Sequence, residues 1–192
     1  MAMTMRWFRR GAVATALVLW LVLAGCDTVD PGSETVVLFV NVEDQLGEDL
    51  RFSFEADNAQ VGQPFTVAAA QRIDLGPFLN QQGFSKAEVV AATVESATVG
   101  VRFPIQARTN FMQQAVLQVT ATGLSATTVA TQSSFPDSRE AALTVQSSRS
   151  ITGFVTRSDF GVQLVLTPAT LLPGEDYELT ATLRIRIEVE GV

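Results

Sequence analysis

The stretch YELTATLRIRIEV, Tyr177 to Val189, alternates without a break. Its odd positions are Tyr177, Leu179, Ala181, Leu183, Ile185, Ile187 and Val189, and its even ones Glu178, Thr180, Thr182, Arg184, Arg186 and Glu188. Successive side chains leave a strand on opposite sides, so period two over this length reads as a strand with one face buried. Apolar along the whole of that face, it is expected to run through the middle of a sheet.

The same texture extends back to Thr35: short segments rich in Val, Thr, Phe and Ala, separated by turn residues. This predicts an all-β fold, a single antiparallel β-sandwich of about eight to ten strands, immunoglobulin-like or jelly-roll-like in general form, with one or two short helical turns. Thr35 to Val42 and Leu50 to Ala56 read as the first two strands, with Phe52 and Phe54 on one face and Arg51, Ser53 and Glu55 on the other. The acidic segment Glu43 to Asp49 joins them as a hairpin loop. Phe65 to Leu75 and Val89 to Phe103 read as a strand pair. Between them, GPFLNQQGF (Gly76 to Phe84) has Pro near its start and Gly near its end, the asymmetry of a short helix, expected over Pro77 to Gln82 with Phe84 folding back onto Leu79.

Ser85 to Glu88 has capping-box spacing, so a helical start near Lys86 competes with the strand there. Within Val89 to Phe103 the apolar positions are Val90, Ala92 and Val94, then Ala97, Val99, Val101 and Phe103. A change of parity swaps the two faces, which implies a bulge near Glu95 and Ser96. Gln114 to Thr122, Ser125 to Thr131, Ala141 to Gln146 and Gly161 to Thr167 complete the strands. Ile151 to Ser158 is ambiguous; a short helix there, ahead of the Gly161 strand, would echo the arrangement around Pro77.

Several classes of chemistry are excluded by composition. The chain of 192 residues has no histidine and a single cysteine, Cys26, so Ser-His-Asp and Cys-His catalysis, zinc sites and disulfides lack their parts. No cofactor is expected. Glu43, Asp44, Glu48 and Asp49 cluster on one loop and form a calcium candidate, because calcium takes several carboxylate and carbonyl oxygens, though their spacing is not that of an EF-hand. Glu95, Asp137, Asp159, Glu175 and Asp176 are the carboxylates from which a two-carboxylate hydrolase would be built, and sequence pairs none of them. Arg184 and Arg186, with Glu178, Glu188 and Glu190, form either a ligand surface or a solvated face of alternating charge. Phe78, Phe84, Phe111, Phe135, Phe154 and Phe160 lie near predicted turns, where they line a cleft or, as expected here, plug the ends of the sandwich.

The first 26 residues carry an address. Arg6, Arg9 and Arg10 precede the apolar run GAVATALVLWLVLAG, Gly11 to Gly25. A basic start, a short apolar stretch and small residues at its end make a secretory signal; at about 15 residues it is shorter than the roughly 20 a spanning helix needs. Leu23, Ala24, Gly25 and Cys26 resemble the lipobox of bacterial lipoproteins. That resemblance implies cleavage between Gly25 and Cys26, a thioether-linked diacylglycerol on Cys26 and a further acyl chain, such as palmitate, on the new amine. Two or more chains hold a protein stably on a membrane where one does not.

The chain then divides into a signal peptide (1–25), a lipidated tether (26–34) and the sandwich (35–192). Without the signal, ten basic residues stand against twenty acidic ones, a balance that repels phosphate backbones and argues against nucleic acid as a partner. The order of segments resembles that of small β-sandwich envelope lipoproteins with no assigned activity. The expectation is a non-catalytic, membrane-anchored module of the bacterial cell envelope, with a structural, assembly or binding role toward another envelope protein or a surface polymer. A surface adhesin or glycan-binding domain, and a carboxylate-dependent hydrolase, are the alternatives.

Overall fold

A computed structural model describes residues 34–191. Ten strands follow in chain order: β1 (Thr35–Asn41), β2 (Leu50–Glu55), β3 (Phe65–Ile73), β4 (Val89–Phe103), β5 (Met112–Ala121), β6 (Leu124–Gln132), β7 (Glu140–Ala142), β8 (Thr144–Val145), β9 (Phe160–Pro168) and β10 (Asp176–Glu190). Three short helices interrupt them: α1 (Val42–Leu46), α2 (Gly76–Gln81) and α3 (Thr152–Val155). The strands form two five-stranded sheets. Sheet A has the order β1-β10-β4-β7, with β2 also on β10, and sheet B the order β3-β9-β5-β6-β8. Every pairing is antiparallel. This is the all-β sandwich that the alternation predicts. No helix among the described residues is long and apolar enough to cross a membrane.

The decisive strand is central. Tyr177, Leu179, Ala181, Leu183, Ile185, Ile187 and Val189 are all buried, and each fully buried Leu or Ile contributes on the order of 1.5–3 kcal/mol. Facing them from sheet B are Val162, Leu164 and Leu166 of β9 and Ala115, Leu117 and Val119 of β5, buried in the same core.

Several local expectations hold. The parity change in β4 is real: Arg184 pairs with Ser96 and Ile185 with Val94, leaving Glu95 as the extra residue. The capping box at Ser85 and Glu88 closes a 3₁₀ turn over Lys86–Glu88, and the strand starts directly after it. In α2, Pro stands in the first turn, Leu79 is buried, and the Phe84 N–H donates to the Leu79 carbonyl at 2.9 Å across Gly83, whose φ of 87° suits glycine.

Others are corrected. β1 and β2 do not form a hairpin: both lie antiparallel to β10, β1 along Arg184 to Glu190 and β2 along Asp176 to Ala181. They are two halves of one edge strand, broken by α1. β3 and β4 do not pair either; β3 bonds β9 in sheet B and β4 bonds β10 in sheet A. α2 carries the chain from one sheet to the other. Ala141 to Gln146 is also divided, β7 joining β4 and β8 joining β6, with Leu143 buried between them and its N–H donating to the Ala97 carbonyl at 2.9 Å. Finally, Val90 and Phe103 are exposed. Register shifts between Glu178 and Leu179 and between Glu188 and Val189 turn both side chains out of the core.

Candidate functional site

Leu23, Ala24, Gly25 and Cys26 lie outside the described residues. The body starts at Thr35, paired with Glu190, so the eight residues 27–34 are all that separate Cys26 from the first strand.

The acidic segment does not gather its carboxylates. Glu43 and Asp44 sit in the first turn of α1. Glu43 Oε2 accepts from the Leu183 N–H at 3.4 Å, a β10 donor facing the gap between β1 and β2. Asp44 accepts from the Asn41 amide at 2.9 Å, and Glu48 pairs with Arg51 at 2.9 Å. Near Asp49 it is the main-chain carbonyl that is engaged, accepting from Gln71 Nε2 at 3.3 Å. The carboxylates of Glu43, Asp44 and Glu48 are thus turned to different protein partners. Among the described residues no three His, Cys, Asp or Glu side chains converge as a metal site.

The carboxylates considered for hydrolysis are also dispersed. Glu95 pairs with Arg184 at 2.9 Å on the outer face of sheet A. Asp159 stands where β9 begins, accepting from the Thr122 N–H at 2.8 Å; hydrogen bonding to Thr122 and the nearby charge of Arg157 hold its carboxyl below the usual range. Asp137 and Asp176 lie at the opposite end, on separate recesses that both touch Tyr177. Asp176 shares its recess, about 340 Å³, with Glu178, but Glu178 sits between Arg102 at 3.1 Å and Arg51 at 3.7 Å. Its charge is already matched by two guanidinium groups.

The outer faces of the two sheets differ in chemistry. On sheet A, Arg184 pairs with Glu95 and lies 4.9 Å over the Phe39 ring, Arg186 pairs with Glu188, and the Thr98 and Thr182 hydroxyls share a hydrogen bond of 2.8 Å. This is a solvated ladder of alternating charge, each pair worth about 0–1 kcal/mol. The five strands of sheet B carry one charged residue, Arg72. Across its outer face Gln163 Nε2 donates to Gln118 Oε1 at 2.7 Å, and Gln118 Nε2 donates to Thr128 Oγ1 at 3.2 Å, an amide and hydroxyl row spanning β9, β5 and β6. Arg72 ends this face. A Cβ at Gly161 would collide with the Arg72 guanidinium, so the glycine is what lets Arg72 lie across β9, beside a recess of about 320 Å³ that also includes Thr120, Thr122 and Asp159.

The phenylalanines behave as plugs: Phe111, Phe154 and Phe160 are buried, while Phe78, Phe84 and Phe135 pack partly buried on the core. Sequence reasoning missed Tyr177 as an aromatic centre. Phe54 stacks on it with ring centroids 5.3 Å apart, and Phe111 approaches to 5.0 Å. It also missed Arg139, whose guanidinium donates to the carbonyls of Val101, Arg102 and Ile105 and so binds the loop after β4. An arginine in a turn carries no signal of carbonyl partners. The outward parity of Gln118 and Gln163 within their strands was, by contrast, legible.

No known family model matches the chain, and no curated protein matches it. What the fold and its surfaces define is a class, an all-β sandwich with one charged and one nearly charge-free face.

Proposed function

We propose that this protein is a lipid-anchored module of the bacterial cell envelope, non-catalytic, acting as a structural, assembly or binding partner of another envelope component. The observation that carries the proposal is Leu23-Ala24-Gly25-Cys26 at the end of a basic and then apolar leader. The tether is short: residues 27–34 stretch to about 28 Å at roughly 3.5 Å per residue. Side-chain chemistry supports a binding rather than a catalytic role, because Glu43, Glu95, Asp159 and Glu178 are engaged one by one with arginines and backbone donors.

The test uses a natural reporter. Both tryptophans, Trp7 and Trp20, lie in the leader, so the processed protein fluoresces only through Tyr177. Wild-type protein from membranes is expected to show no tryptophan emission, to enter the detergent phase and to carry acyl mass on Cys26. Cys26→Ser is expected to retain the leader and its tryptophan emission. A Cys26→Ser protein that is processed normally and still partitions into detergent overturns the anchor.

A second reading, a surface glycan-binding domain, is favoured by the amide and hydroxyl row of sheet B. Planar amides and hydroxyls on a charge-free face suit a polyhydroxylated ligand. It requires exposure on intact cells, so protection of the protein from added protease counts against it.

A further inference from the structure

We propose that the edge of β1, which no strand among the described residues covers, pairs with β1 of a second copy, antiparallel and centred on Leu38, joining the two A sheets into one continuous sheet. The inference stands on the fold and is independent of the lipid anchor.

β1 ends the strand order of sheet A. Which of its backbone groups face outward follows from its bonds to β10. The Gly191 N–H donates to the Glu34 carbonyl at 2.7 Å, and farther along the same side of β10 the Leu183 N–H reaches Glu43. The odd residues of β10 therefore turn their backbone toward β1, and their partners Val36, Leu38 and Val40 turn theirs toward β10. In an antiparallel ladder the alternate residues face the other way, so Thr35, Val37, Phe39 and Asn41 present their N–H and C=O groups outward.

Every other edge of the sandwich is blunted. Beside β2, the Gln71 side chain acts as a substitute strand, accepting from the Arg51 N–H at 3.1 Å and donating to the Asp49 carbonyl at 3.3 Å. β3 is irregular between Ala68 and Arg72. β7 has three residues and β8 two, too few to template a partner. β1 has seven residues in unbroken register from Thr35↔Glu190 to Asn41↔Arg184, with no charge, proline or glycine. Natural edges usually carry such devices to prevent pairing. β1 also exposes Val36 (36%), Val37 (39%) and Phe39 (45%).

A second copy is the occupant that fits, because the strand is complementary to itself. With the two-fold axis at Leu38, Thr35 faces Asn41 of the second copy and Val37 faces its Phe39, so every outward-facing backbone group meets another. Val37 and Phe39 then form two symmetric cross-strand pairs on the outer face and cover each other's exposed apolar surface. No like charges oppose across the join. Pairing ends at Asn41, where α1 takes the chain out of the strand.

The experiment is sedimentation equilibrium of the full chain in density-matched detergent, with circular dichroism melts to show that each variant folds. Wild type is expected to dimerise with rising concentration. Val37→Lys/Phe39→Lys sets like charges against each other in both symmetric pairs and is expected to weaken the dimer at least about tenfold. Val37→Lys/Phe39→Glu sets opposite charges across the same pairs and is expected to restore it. A wild type that stays monomeric at about 100 μM, a folded double-lysine variant that dimerises as well as wild type, or a lysine/glutamate variant as monomeric as the double-lysine one each overturns the proposal.

Discussion

At the scale of single residues, the molecule is held by side chains standing in for missing backbone. Glu43 fills the gap that α1 opens beside Leu183, Gln71 covers the outer edge of β2, and Arg139 binds the carbonyls of Val101 and Arg102 at the end of β4 and of Ile105 just after it. Each replaces a ladder bond that an irregular backbone cannot make, and an unmade buried bond costs about 1–3 kcal/mol. Asp74 has a similar part near α2: Lys86 Nζ lies 2.6 Å from its carboxylate and the Gly76 N–H donates to it at 2.9 Å. The hydrogen bond from Lys86, then that from Gly76, holds the Asp74 carboxyl below its ordinary 3.8. A depressed carboxyl pKa stabilises the folded state above the unfolded value, and that stability is lost as pH falls through the folded value. Glu88, bonded to Ser85, and Asp159 shift in the same direction. The urea midpoint is therefore expected to fall as pH drops from about 5 to 2.5, with a shallower fall in Asp74→Asn. Equal slopes in the two proteins would remove Asp74 from that account. The contribution is small, since the Asp74 side chain is 46% exposed and solvent screens it.

At the scale of elements, β4 shows how a partner strand edits a local pattern. Its core face runs Val89, Ala92, Val94, then Ala97, Val99 and Val101, a sequence that fits no single parity. Each irregularity matches a register shift against β10. Deleting Glu95 would remove the extra residue and leave Val94, Ser96 and Ala97 in plain alternation opposite Ile185, Arg184 and Leu183, so both halves of β4 keep their core face. That deletion is expected to keep a cooperative urea transition by circular dichroism, whereas deleting Thr93, inside the regular run of β4 opposite Arg186, turns one part of the core face outward and is expected to abolish it. Glu95→Ala removes only the surface pair with Arg184 and is expected to cost less than about 1 kcal/mol. A Glu95 deletion that loses the cooperative transition, or a Thr93 deletion that melts like wild type, would contradict the observed register.

At the scale of the whole molecule, sheet A is assembled from both ends of the body: β1, its first strand, and β10, its last, lie side by side. β2 and β4 complete the surroundings of β10, so sheet A cannot close until the last strand is in place. Such non-local pairing makes for slow folding. It also makes β10 the element whose opening requires global unfolding. Hydrogen exchange is expected to be slowest at Leu179 to Ile187 and markedly faster at Ala142 to Val145, where the sheet strands are short. Equal protection in the two segments would contradict a core centred on β10. β1 is also the first strand of the body in sequence, so any assembly built on its edge lies a short stretch of chain from Cys26.

The sequence by itself determined what depends on near neighbours: the buried face of Tyr177 to Val189, the parity change at Glu95 and Ser96, and the turns at Pro77 and Ser85; the proposed anchor rests on sequence alone, on the resemblance of Leu23 to Cys26 to a lipobox. These are legible because alternation, turn chemistry and cleavage signals are written within a few residues. Only the tertiary structure decided which strands pair. It placed β3 and β4 in opposite sheets, made β1 and β2 two halves of one edge, and turned Val90 and Phe103 to solvent. Two strands with the same alternation are interchangeable until a distant partner sets their register. For the same reason the charge-free face of sheet B, whose glutamines and threonines come from strands far apart in the chain, becomes a surface only once the chain has folded.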